Sequence, residues 1–198
     1  MIFKDKPPVS DNLLKKRISR IVLERSNYDQ SVADVISNLY DYMRTKKLRG
    51  GCHALSSALY VAFSEMNLNP SLYIGNCQLA GKPPFDHSWI SIKDEIIDLA
   101  IYVPLTSAIN SMSGPIIFGV DAVTLKPSQV EYGINTGLPF DGDTQQVINM
   151  PFSEYMSRFP GEQRGLWTVV QKILPSETCT SIDALIMKYS DVNRICVR

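Results

Sequence analysis

Two apolar runs, DHSWISI (86–92) and EIIDLAIYV (95–103), are separated by Lys93-Asp94 alone. A two-residue connection can only close a hairpin, so these runs pair as antiparallel neighbours. PSLYIGNCQL (70–79) reads as a further strand before them. Upstream the apolar period is helical. Leu14, Ile18, Ile21 and Val22 fall near one face over residues 10–25. Val32, Val35, Ile36, Leu39 and Met43 do the same behind Ser31, a candidate cap, and Gly50-Gly51 ends that element. A third helix is predicted from Cys52 to Met66. Its apolar face is Cys52, Leu55, Leu59, Ala62 and Met66; His53, Ser57, Tyr60 and Ser64 form a face expected to meet solvent. Helices followed by an antiparallel sheet define an α+β fold.

Residues 104–142 are rich in Ser, Pro, Gly and Asn around one short apolar run, PIIFGV. They are expected to wrap the core and shape a cleft. Helices return over 152–158, 162–173 and 181–188. The reading is one domain over 1–198, with a core at about 30–103 and cleft-shaping loops and C-terminal helices over 104–198. Twenty Lys and Arg balance twenty Asp and Glu, which argues against a nucleic-acid or membrane-surface role driven by bulk charge. The basic cluster Lys15-Lys16-Arg17 with Arg20 reads as a solvated helix face. No run approaches the ~18 apolar residues of a membrane span, and the N-terminus lacks a signal-peptide h-region. Cysteines 52, 77, 179 and 196 show no C-x-x-C pairing, so they read as thiols in a reducing compartment, and a cytoplasmic location is expected. No Walker loop or G-x-G-x-x-G is present.

The residues with the strongest chemical signal are RGGC, 49–52. Helix starts prefer Ser, Thr, Asp or Asn as caps; a cysteine caps poorly, but free N–H groups there stabilise a thiolate and can hold an oxyanion. Gly51 would let substrate approach the backbone closely. Of the two histidines, His53 is rotated about 100° from Cys52 on the helix, so it reads as exposed or at the rim. His87 begins a strand, and Asp98 lies inside an otherwise apolar run. The hairpin parity puts His87 and Asp98 on one face, either directly opposite or diagonal, with Trp89 facing Asp98 in the diagonal register. A buried carboxylate needs a partner, and His87 would serve. Tyr102, at the end of the same run, is expected near the cleft mouth. Gln30 and Asn38 stand open as side-chain oxyanion donors. Cys52, His53, His87 and Cys77 match no common zinc spacing, and Cys77, Cys179 and Cys196 read as packing residues.

A cysteine at a helix start (Cys52), H-x-W on a strand (His87, Trp89) and Asp98 on the next strand together resemble the transglutaminase-like branch of the papain-type cysteine enzymes. RGGC also resembles the RGG-x-C of arylamine N-acetyltransferases, with one residue missing between Gly51 and Cys52. The resemblance covers about 30–103. It implies a helix packed on an antiparallel sheet, a Cys52-His87-Asp98 triad, a thioester intermediate, and no cofactor or metal. Gly51, Trp89 and Tyr102 are the candidate substrate-binding residues. The implied partner is a protein or peptide substrate, or a small amine or amide. Amide hydrolysis, deamidation or transamidation is favoured over acetyl transfer, because H-S-W fits the transglutaminase pattern and the chain is short for an acetyltransferase. A non-catalytic peptide-binding module on the same core is the other alternative.

Overall fold

The computed structural model describes residues 9–105, 113–178 and 180–197, and they form an α+β structure. Three helices lead: α1 (Asp11–Leu23), α2 (Gln30–Thr45) and α3 (Cys52–Glu65). Strands β1 (Ser71–Leu79), β2 (Phe85–Ile92) and β3 (Glu95–Ile97) follow. Short strands β4 (Ile116–Ile117), β5 (Val120–Asp121) and β6 (Lys126–Pro127) make a small separate sheet around the PIIFGV run. After β7 (Val130–Tyr132) come α4 (Gly142–Asn149), α5 (Phe152–Arg158), α6 (Leu166–Ile173), α7 (Ile182–Lys188) and β8 (Ile195–Val197).

The periodic residues of α1 and α2 are buried as their spacing predicts. The cap of α2 is Asp29 rather than Ser31: its carboxylate accepts the Ser31 N–H at 2.9 Å, which starts the helix at Gln30. Helix α3 differs more. Its expected solvent face is covered, with Ser57 only 1% exposed and Tyr60 edge-on to Phe152 at 6.0 Å and Tyr189 at 6.4 Å. The cause is the C-terminal chain: α6 packs on α3 as β2 does, and α3 is buried nearly all round.

The main sheet runs β3-β2-β1-β7, with β8 parallel to β1 alongside Tyr73 to Gly75. Lys93 and Asp94 both have positive φ, 49° and 66°, the backbone of a two-residue primed turn. The register pairs Ile90 with Ile97 and Ile92 with Glu95, which is the diagonal alternative for His87 and Asp98. The predicted strand over 95–103, however, ends at Ile97. Asp98 exchanges two 2.8 Å backbone bonds with Ile116 instead. Its Oδ1 accepts the N–H groups of Ala100 (3.0 Å) and Ile101 (3.2 Å) and winds the chain into a 3-10 turn at Ala100–Tyr102. Among the described residues, the edge of β2 from Phe85 to Trp89 therefore has no strand beside it on that side.

Two features of the C-terminal half also differ from the sequence pattern. Helix α6 begins at Leu166 rather than 162, because Gly165 has φ +57° and a Cβ there would overlap the Met156 carbonyl. Helix α4 begins where the 104–142 stretch ends, in a segment for which no element was predicted; Asp141 caps it through the Thr144 N–H at 2.7 Å. No helix among the described residues is long and apolar enough to cross a membrane.

Candidate active site

Cys52 is the first residue of α3, and no side chain caps that helix. Its opening N–H groups, with that of Cys52 among them, have no intrahelical acceptor. The two glycines before it do different work. Gly50 has φ +62°, and a Cβ there would lie 2.8 Å from the Leu105 Cβ, so this position requires glycine. Gly51 has φ −82°, and a Cβ there would meet nothing closer than 3.8 Å. Gly50 lines the cleft beside Cys52; Gly51 is not among its lining residues.

His87 and Asp98 are in direct contact, Nε2 to Oδ2 at 2.7 Å, with side chains 6% and 1% exposed. Cys52 lines the same cleft and its sulfur acts electrostatically on the His87 ring, and Nδ1 is the nitrogen that Asp98 leaves free. Burial alone would strip the proton from His87. The Asp98 carboxylate and Cys52 overcome it, and the imidazole is pushed up to about 10. Among the described residues Asp98 takes four donors: His87 and the Tyr132 hydroxyl (2.8 Å) on Oδ2, and two backbone N–H groups on Oδ1. Burial, and then Asp98, hold the Tyr132 phenol in its protonated, donating form.

The gap left by the early end of β3 is a cleft of about 250 Å³, lined by Cys52, His53, His87, Phe85, Ala100 and Ile101, with Pro104 and Leu105 at one side and Asp141, Asp143 and Thr144 at another. The described parts of 104–142 thus do reach the cleft; residues 106–112 lie outside the described residues, as does Cys179. Asp86 is also on the cleft. Burial, and then the Asp141 charge, push its carboxyl up, against the stabilising Asp141 N–H bonded at 2.6 Å.

None of the three expected substrate-binding residues lines the cleft: Gly50 takes the place expected of Gly51, and the other two sit elsewhere. Trp89 is 4% exposed, stacked on Tyr73 at 5.5 Å and tilted against Tyr132 at 5.1 Å, so it backs the His87-Asp98-Tyr132 cluster instead of facing the cleft. Tyr102 turns toward α2, 6.3 Å from the Tyr40 ring, because the 3-10 turn rotates it off the strand. Gln30 is bonded to Asp34 at the far end of α2, and Asn38 is exposed; neither lines the cleft. His53, in contrast, is a wall of the cleft, with Nδ1 2.6 Å from the Ser88 hydroxyl and Nε2 3.4 Å from that of Thr144. Burial, and then the neighbouring His87, pull it down to about 4.

Sequence reasoning missed Tyr132, whose strand joins β1 through the long-range pair Cys77–Tyr132. It also missed Ser88, although a signal was there: Ser88 follows His87 as His53 follows Cys52, at one shared offset. Among the described residues, no three His, Cys, Asp or Glu side chains are grouped to hold a metal ion. No family model, curated protein or solved structure matches this chain.

Proposed function

We propose that the chain is a cysteine-dependent acyl-transfer enzyme of the transglutaminase-like type, acting on an amide of a protein, a peptide or a small molecule. The observation that carries this reading is the His87 ring, held at 2.7 Å by a buried Asp98 and lining one cleft with Cys52 at the uncapped start of α3. Burying a charged His–Asp pair is costly, and a fold with no use for it is commonly as stable with apolar residues there.

In the proposed reaction the Cys52 thiol gives its proton to His87 Nδ1, and the sulfur attacks the amide carbonyl and forms a C–S bond as the C=O electron pair moves onto oxygen. His87, which keeps its proton at neutral pH, gives it to the departing amine as the C–N bond breaks. Asp98 orients the ring and balances its charge. The thioester then passes to water or to a second amine, with His87 taking the proton of the incoming nucleophile. A helix start, H-x-W and an Asp following in that order support the transglutaminase-like assignment of the core, with α5 to α7 as its C-terminal extension.

Iodoacetamide labelling at mildly acidic pH, mapped by mass spectrometry, tests the reading. Cys52 is expected to be modified well ahead of the other three cysteines. Cys77 is buried, and burial and then Asp98 push its thiol up, so it should stay silent. Cys196 is exposed and provides the ordinary-thiol standard. Cys52 labelling no faster than Cys196, or failure of wild type to form a Cys52 acyl adduct with an activated ester, would overturn the proposal.

A further inference from the structure

Cys52 and His53 are consecutive on α3, and each meets one of two consecutive residues of β2, His87 and Ser88. The first pair accounts for nucleophile and acid. The second has no part in that scheme, yet its ring lines the same cleft. Ser88 is 2% exposed and sits 2.6 Å from His53 Nδ1, so the ring is anchored from behind. With Nδ1 accepting from the Ser88 hydroxyl, a neutral imidazole carries its proton on Nε2. Among the described residues the hydrogen-bond partner of Nε2 is the Thr144 hydroxyl at 3.4 Å, too long for a strong bond. In that tautomer a half-buried, oriented donor has most of its hydrogen-bonding capacity unspent on the cleft side. Burial and the neighbouring His87 keep it uncharged down to about pH 4. A neutral ring beside the imidazolium adds no repulsion, whereas a second cation would.

Resting on the acyl-transfer reading above, we propose that His53 Nε2–H donates to the carbonyl oxygen of the acyl group on Cys52, supplying the side-chain half of an oxyanion hole. The backbone half is the uncapped N–H start of α3. As sulfur adds to the carbonyl, the C=O electron pair moves onto oxygen, and the two donors meet that charge; when the leaving group departs, the pair returns and the C=O re-forms. His53 is then a catalytic residue, and Ser88 a positioning residue that fixes its tautomer.

Two reactions at Cys52 separate this role from a structural one. Acetylation by p-nitrophenyl acetate passes through an oxyanion and releases p-nitrophenolate in a readable burst. Alkylation by iodoacetamide is a direct displacement at carbon and develops no oxyanion. His53→Leu, which keeps volume but not the donor, should slow the burst by about 100-fold or more and leave alkylation at the wild-type rate. His53→Gln, which restores an N–H donor, should recover most of the burst. A burst unchanged in His53→Leu overturns the inference alone, as does a fall of alkylation in step with acylation. A wild-type enzyme that shows no burst at Cys52 overturns the acyl-transfer reading and this inference with it. Should His53→Leu not fold, Ser88→Ala leaves His53 in place with its ring unanchored and carries the same two readouts: a slowed burst with intact alkylation supports the assignment, and any other pattern defeats it.

Discussion

Replacing Asp98 with Asn exchanges one oxygen for an NH2 group at a point where two donors converge. Oδ1 can go on accepting from Ala100 and Ile101, which fixes the amide so that its nitrogen takes the place of Oδ2. That nitrogen then confronts His87 Nε2 and the Tyr132 hydroxyl, both donors in the wild type. The phenol can rotate; the imidazole must give up the Nε2 proton and accept. Its remaining proton moves to Nδ1, facing the thiol, the tautomer that cannot take a proton from sulfur. Loss of the Asp98 charge leaves burial, the largest single influence on His87, opposed by Cys52 alone, so its pKa should fall well below about 10. Breaking one side of so buried a pair should cost about 3–5 kcal/mol of stability, and acylation should slow by about 10⁴-fold. The chain has only two histidines, so nitrogen-15 imidazole NMR reads both without ambiguity. In the wild type His53 should titrate near pH 4 and His87 near pH 10, so that between about pH 5 and 9 one ring stays neutral, the other stays charged, and neither moves. In Asp98→Asn both rings should be neutral at pH 8. The linkage sign follows: the stabilisation held in the raised His87 is complete below pH 6.5 and is lost from there to about pH 10, and the variant should lack that alkaline loss. A wild-type ring titrating near pH 6.5, or a charged His87 in Asp98→Asn at pH 8, would refute the account.

Tyr132→Phe removes one of two donors to Asp98 Oδ2 while keeping the ring that packs on Trp89. It should cost about 1.5–3 kcal/mol in chemical denaturation and slow the p-nitrophenolate burst far less than Asp98→Asn, with His87 still charged at pH 8; a burst as slow as that of Asp98→Asn would mean that Tyr132 does more than support the carboxylate. Gly50→Ala forces a side chain into φ +62° and against Leu105; about 1–3 kcal/mol of destabilisation is expected, whereas Gly51→Ala should be tolerated within about 1 kcal/mol, since a Cβ there sits at ordinary contact distance. Equal melting-temperature losses in the two glycine variants would count against the geometry of the α2–α3 loop.

Local physics sets what is legible in this sequence. The turn at Lys93-Asp94 is two residues long, so loop length narrows the register to two choices, and the face shared by His87 and Asp98 follows from parity. The helix start at Cys52 is legible for the same reason, being marked by glycines and an abrupt apolar period. The departures have one physical origin. The end of β3 and the burial of the Ser57 and Tyr60 face depend on contacts with chain more than a dozen residues away, and the direction of Tyr102 follows from that end of β3. Asp98 reads as a strand residue because its neighbours are apolar. It stops the strand because its backbone finds Ile116 and its carboxylate captures two N–H groups of its own chain. That early stop also makes room for the cleft: had β3 continued to residue 103, it would have run along the β2 edge at His87, where the cleft now lies. The carboxylate that orients the imidazole therefore also ends the strand that would cover it, and one substitution at Asp98 should disturb chemistry and cleft shape together. The two effects separate because Asn retains Oδ1, the oxygen that turns the chain, and loses only Oδ2, the oxygen that holds His87.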